Sequence, residues 1–137
     1  MYSVKFFPDG NVDLLLAVAS GMYDTHPYPR LEFDKRTYLE RVVLASSEEG
    51  IYVCFDGDVP VGAITVSDVA YDVHFGGVGR HIMNFVVLPR PDSQVVARKL
   101  LREFRISLVR EGECTWYSTT HRRDFYTLVT RYWRINE

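Results

Sequence analysis

Hydrophobic and polar positions divide the chain into segments that alternate between strand and helix periods. Tyr2 to Phe7 (YSVKFF) alternates loosely and stops at Pro8-Asp9-Gly10, which predicts a strand closed by a turn. Asn11 is a helix-capping residue type. After it Leu14, Ala17, Val18 and Gly21 fall at helical spacing in an apolar run that reaches Met22. Two prolines in Asp24-Thr25-His26-Pro27-Tyr28-Pro29 stop that helix by removing donors and extending the residues before them. Asp34 then caps a second helix, with Tyr38, Leu39, Val42, Val43 and Ala45 on or beside one face, ended by Ser46-Ser47-Glu48-Glu49-Gly50. Ile51 to Phe55 and Val61 to Val66 are β-rich runs around Asp56-Gly57-Asp58, a hairpin signal. Ile82 to Leu88 reads as a buried strand ending at Pro89. From Ser93 to Arg110, Ala97, Leu100, Leu101, Phe104 and Leu108 form a narrow apolar stripe, with Arg98, Lys99, Arg102, Glu103 and Arg105 off it. Cys114 to Thr119 predicts a strand, and Asp124 to Trp133 a last short helix. The resulting order, β-α-α-β-β-β-α-β-α, predicts a mixed sheet flanked by helices. Its strand-helix-strand unit over residues 82–119 predicts a parallel crossover.

Length adds that 137 residues make one domain, 1–137, with enough surface to bury for a core of its own. A formal charge of -2 argues against a strongly cationic nucleic-acid binder, but it hides an asymmetry. Residues 1–97 hold seven Lys/Arg against 13 Asp/Glu, and residues 98–137 hold nine against five. Arg122, Arg123, Arg131 and Arg134 interleave with Tyr126, Tyr132 and Trp133, a texture read here as one face of an amphipathic helix rather than a nucleic-acid surface. The longest apolar runs fall short of a membrane span, and the chain starts directly on patterned sequence, so a cytoplasmic protein is expected. Cys54 and Cys114 make no disulfide framework, and the four histidines show no metal-ligand spacing, so no metal is expected. Gly76-Gly77-Val78-Gly79-Arg80-His81 precedes a strand rather than a helix and reads as a mobile turn, not a phosphate cradle.

Three segments carry a family resemblance. FDGDVPVGAITVSD (Phe55 to Asp68) is similar to the second and third strands of the GNAT N-acetyltransferases. FVVLPRPDSQVVARKLLREF (Phe85 to Phe104) resembles their fourth strand, pyrophosphate loop and third helix. THRRDFYTLV (Thr120 to Val129) resembles their closing helix with its Phe-Tyr pair. Together with the element order, the resemblance covers nearly the whole chain. It implies an α/β (α+β) GNAT-like fold and acetyl transfer from acetyl-CoA to an amine on a small molecule or a protein.

Mapped by the resemblance, the cofactor residues are Val87, Leu88, Arg90, Ser93, Gln94, Val95 and Arg98, with Thr119 on the pantetheine side. Tyr126 matches the tyrosine that protonates the leaving thiolate. His81 is the nearest titratable group for the base, histidine being suited to proton transfer near neutral pH. Tyr23, His26 and Tyr28 fall in the loop that shapes the acceptor site in the family. The anion loop departs from the family pattern: Asp92 stands on its basic position, Ser93 and Val95 on glycines. A carboxylate about 5 Å from a phosphate charge is repelled by roughly 3 kcal/mol at an effective dielectric near 20. A helix N-terminus returns only about 0.3–1 kcal/mol at an exposed site. Asp92 or Ser93 is also expected to cap the helix with its own oxygen. These departures leave two readings open: a working acetyltransferase, or a degenerate GNAT-fold interaction protein. The second is similar to small GNAT-like proteins of short-tailed phages, some of them virion-associated. With a last helix ending near Trp133, the terminal strands of the family would be short or missing. The exposed sheet edge would then take a second copy or another protein.

Overall fold

The computed structural model describes residues 1–27, 33–124 and 126–135. In chain order the elements are β1 (Tyr2–Phe7), α1 (Val12–Thr25), α2 (Lys35–Ser46), β2 (Gly50–Asp56), β3 (Val59–Val66), β4 (Ala70–Tyr71) and β5 (Val78–Val87). They continue with α3 (Ser93–Glu111), β6 (Trp116–Asp124) and β7 (Thr127–Arg134). One sheet runs β1-β2-β3-β5-β6-β7, with the short β4 beside the start of β5. Every pairing is antiparallel except β5 with β6, the expected crossover through α3.

The two helical starts are set by their caps: Asn11 Oδ1 accepts from the Leu14 amide at 3.1 Å and Asp34 Oδ1 from the Thr37 amide at 2.8 Å. Those two bonds satisfy amides that have no partner inside the helix. β2 reads as an unbroken apolar run because both its faces are covered. Ile51 and Val53 meet Leu15 and Val18 of α1, while Tyr52 and Cys54 meet the α3 stripe of Val96, Leu100, Phe104 and Leu108. Burying each of these large side chains stabilises the fold by about 1.5–3 kcal/mol. Both cysteines are buried and free.

Between α2 and the sheet lies one polar contact. Asn84 Nδ2 donates to Thr65 Oγ1 at 2.7 Å and Ser46 Oγ at 3.2 Å, and both hydroxyl residues are buried. Asn84→Ala leaves two buried hydroxyls without that donor. Because Asn84 itself is exposed and water can take its place, the cost expected in urea denaturation is about 0.5–1.5 kcal/mol; an unchanged midpoint would show the triad carries no stability.

The main correction concerns the end of the chain. Residues 127–134 form β7, not a helix, and pair with β6 from Trp116↔Arg134 to Asp124↔Thr127. TLVTRYWR is rich in β-branched and aromatic residues, and strand pairing uses both of its alternating faces. Tyr132 joins Trp116 on one, and Trp133 stacks on Tyr117 on the other. The terminal hairpin is therefore present, and the outer edge of the sheet there belongs to β7. The basic and aromatic residues at the C-terminal end lie on this hairpin rather than on a helix face. A smaller correction is that β5 starts at Val78, inside the glycine run. Gly76 and Gly77 do turn, at φ +89° and +75°, but Gly79 is a strand residue pressed against Trp116.

Candidate functional site

The crossover creates the site. β5 and β6 pair only at Gly79↔Trp116, Arg80↔Tyr117 and His81↔Ser118, and then part. Beyond His81 the edge of β5 facing β6 has no strand partner among the described residues, while β6 continues paired with β7 alone. A fork opens in the middle of the sheet. Where it opens, β5 carries a bulge: Thr65 faces Asn84 and Val66 faces Ile82, leaving Met83 without a partner residue on β3.

A cavity of about 1210 Å³ fills the fork. Strand alternation assigns its walls. Phe85, Tyr117, Thr119 and Trp133 line the α3 side with Leu101 and Arg105; Tyr132 and Arg134 line the α1 side with Met22, His26, Phe33 and Tyr38. Thr119 Oγ1 accepts from the Trp133 indole at 3.0 Å. Tyr117 is buried against Phe104, and burial pushes its phenol above the ordinary value. On the other side, the hydrogen bond from Tyr132 to the Asp72 carboxylate, more than burial, raises the Tyr132 phenol.

At the apex His81 Nδ1 lies 2.6 Å from the Oγ of Ser118, which is wholly buried. Its ring rests between Trp116 at 5.2 Å and Tyr132 at 6.2 Å, centroid to centroid. When Nδ1–H donates to Ser118, the Nε2 lone pair remains for a proton.

The start of α3 differs from expectation. Asp92 occupies the cap position, but its carboxylate makes no cap hydrogen bond. Tyr2 Oη donates to Asp92 Oδ2 at 2.6 Å, and Arg90 lies 3.8 Å from the other oxygen. Arg90 itself donates through Nη2 to Asp56 at 2.6 Å and through Nε to Tyr2 Oη at 3.3 Å. Charge-assisted bonds to a phenol and a guanidinium outcompete a cap to a backbone amide. The hydrogen bond to Asp92 holds the Tyr2 phenol above its usual value. Arg90 is thus held toward β1 and β2. Ser93, Gln94 and Val95 make the first turn of α3, with Val95 exposed, and Arg98 Nε donates to the Gln94 carbonyl at 3.4 Å. Val87 ends β5, and the Leu88 amide donates to the Val61 carbonyl at 3.0 Å.

The structure therefore brings Thr119 into the cleft; His81 is the last β5 residue paired with β6, where the fork opens, and neither it nor the expected cofactor residues from Val87 to Arg98 line the cavity. Tyr126 it leaves apart. It sits in the β6–β7 turn, 91% exposed, its amide donating to Asp124. Six residue steps along β6 lie between Ser118 and Asp124, about 20 Å of strand. His26 lines the cavity, Tyr23 donates to the Phe33 carbonyl, and Tyr28, like Phe125, lies outside the described residues. Sequence reading missed Tyr117 and Arg105; the signal was their position opposite one another across the crossover. Among the described residues no three His, Cys, Asp or Glu group as metal ligands, and no helix is long and apolar enough to cross a membrane.

The fork fits the thioester arm of acetyl-CoA: an unpartnered strand edge can pair with amides, and the walls alternate apolar and hydroxyl groups. The first turn of α3 fits its diphosphate poorly, since the nearest arginine is engaged and a carboxylate stands beside it.

No protein-family model matches the chain, and no curated protein sequence does. Solved structures do. A ribosomal-protein-alanine N-acetyltransferase from Brucella melitensis biovar Abortus 2308 superposes with a TM-score of 0.63 at 10% identity, over 90% of this chain and 82% of that one. An aminoglycoside acetyltransferase from an uncultured soil metagenomic sample gives 0.60 at 12%, over 89% and 78%. A structure assigned to the GNAT family of acetyltransferases, from Desulfovibrio desulfuricans, gives 0.58 at 16%, over 87% and 74%. At these identities the likeness is one of fold.

Proposed function

Because the chain has the fold of the GNAT N-acetyltransferases, we propose that it transfers an acetyl group from acetyl-CoA to an amine, with the reaction at the apex of the β5–β6 fork. The observation that carries this reading is the fork itself, where parallel pairing stops after three residues and a large cavity opens between β5 and β6. Bound there, acetyl-CoA supplies an electrophilic carbonyl whose C–S bond is exchanged for a C–N bond to the amine. Phe85, Leu101, Tyr117 and Thr119 hold the arm from the α3 side, and the walls exclude water. His81, on the α1 side, receives the proton that the amine loses, with Ser118 fixing its ring. Tyr117 rather than Tyr126 donates to the departing sulfur, because it lines the cavity whereas Tyr126 lies in the exposed β6–β7 turn.

The engaged Arg90 and the exposed Val95 favour a second reading, a GNAT-fold protein that no longer binds the cofactor and acts by contact with a partner. Thiol release from acetyl-CoA, with amino acids, polyamines, aminoglycosides and short peptides as acceptors, separates the two. Tyr117→Phe is expected to lower the rate at least tenfold with acetyl-CoA affinity unchanged, and Tyr126→Phe to leave it unchanged. A rate that follows Tyr126 instead would refute this assignment, and no release with any acceptor would favour the second reading.

A further inference from the structure

Three arginines stand together on α3: Arg98, which the resemblance mapped to the cofactor, and Arg102 and Arg105, to which sequence reading gave no role. Arg98, Arg102 and Arg105 recur at i, i+4 and i+7, so they share one side of the helix and span about 10 Å along it. With Leu101, Ile106, Val109 and Ile135 they line a second cavity of about 490 Å³, apolar in its floor and cationic at its rim. Leu101 and Arg105 line the fork cavity as well, so the two cavities adjoin. Among the described residues neither Arg102 nor Arg105 makes a salt bridge. Like charges one helical turn apart repel each other, an arrangement that an anion between them relieves.

At the start of the same helix the opposite holds. Arg90 is spent on Asp56 and Tyr2, and Asp92 brings a carboxylate to the first turn. The chain therefore has a poor anion site at the helix N-terminus and a cationic, apolar-floored one along the helix side. We infer that the phosphates and adenosine of a coenzyme A thioester lie along the Arg98-Arg102-Arg105 face of α3, not on its first turn. The inference rests on the fork as the thioester site. The apolar floor receives the adenosine, and planar guanidinium groups suit bidentate contacts with phosphate oxygens. Arg105 lines both cavities.

Calorimetric titration with three probes tests this: acetyl-CoA, S-acetylpantetheine, which lacks the nucleotide, and adenosine 3′,5′-bisphosphate, which lacks the arm. For Arg98→Gln/Arg102→Gln, acetyl-CoA affinity is expected to fall at least tenfold and adenosine bisphosphate binding to disappear, with S-acetylpantetheine unaffected. Glutamine keeps the helix propensity of arginine, and an unchanged thermal midpoint confirms an intact fold. Wild-type affinity for acetyl-CoA in this variant, or a matching loss in Arg90→Gln alone, would overturn the inference. Arginine-dependent binding of adenosine bisphosphate without binding of either thioester would uphold the arginine face and overturn the fork reading instead.

Discussion

Gly79→Ala is expected to cost about 3 kcal/mol of stability, a large share of the roughly 5–15 kcal/mol that holds a domain folded. A Cβ on Gly79 would run into the indole and the carbonyl oxygen of Trp116. Trp116 cannot yield: it is fully buried, ringed by Phe75, His81 and Tyr132, and its indole donates to the Gly77 carbonyl at 3.2 Å. The clash also falls in the three-residue ladder that joins β5 to β6, so relief by strand separation would detach the terminal hairpin. Urea denaturation should show a lowered midpoint. A midpoint equal to that of the parent chain would mean that β5 and β6 are not packed this closely.

His81→Gln carries the largest expected effect on activity. A positioned general base contributes typically 10²–10⁴-fold, and glutamine keeps a polar group at the site without accepting the proton. Thiol release from acetyl-CoA should fall by about that factor with acetyl-CoA affinity unchanged, because the ring sits at the apex on the α1 side. Ser118→Ala should lower the rate less and shift its pH profile, since Ser118 acts only through the ring 2.6 Å away. A His81→Gln enzyme with the parent rate would move the base elsewhere.

Much of the fold is legible from local pattern. Asn11 and Asp34 announce their helices because capping is a contact within three residues. Asp56-Gly57-Asp58 marks its hairpin because a turn with Gly57 at φ +62° depends on the turn residues themselves. The errors arise where a distant partner decides. Phe125-Tyr126 followed by Val129 fits a helix period as well as a strand, and only pairing of 127–134 with β6 chooses between them. Val78 to His81 looks like a turn because it is glycine-rich, yet Gly79 is glycine because an indole from 37 residues later needs its space.

The site divides in the same way. The turn between β5 and α3, residues 88–92, could be located because strand, proline and helix start follow one another in sequence. Whether Arg90 faces a ligand depended on Asp56 and Tyr2, 34 and 88 residues away. Arg102 and Arg105 drew no role from the sequence because they lie off the core stripe. Off the stripe is also where a helix presents a binding face, and the clue was their recurrence with Arg98 at one helical turn. Tyr126 was placed by its resemblance to a helix that the chain does not form.

The most direct measurement of the fork as a thioester site is a calorimetric titration of acetyl-CoA into the parent chain and into Thr119→Trp, which fills the cleft from β6. Saturable binding in the micromolar range with one site per chain, lost in the filled variant, is the expected result. Absence of heat at millimolar acetyl-CoA, or binding indifferent to the tryptophan, would contradict it.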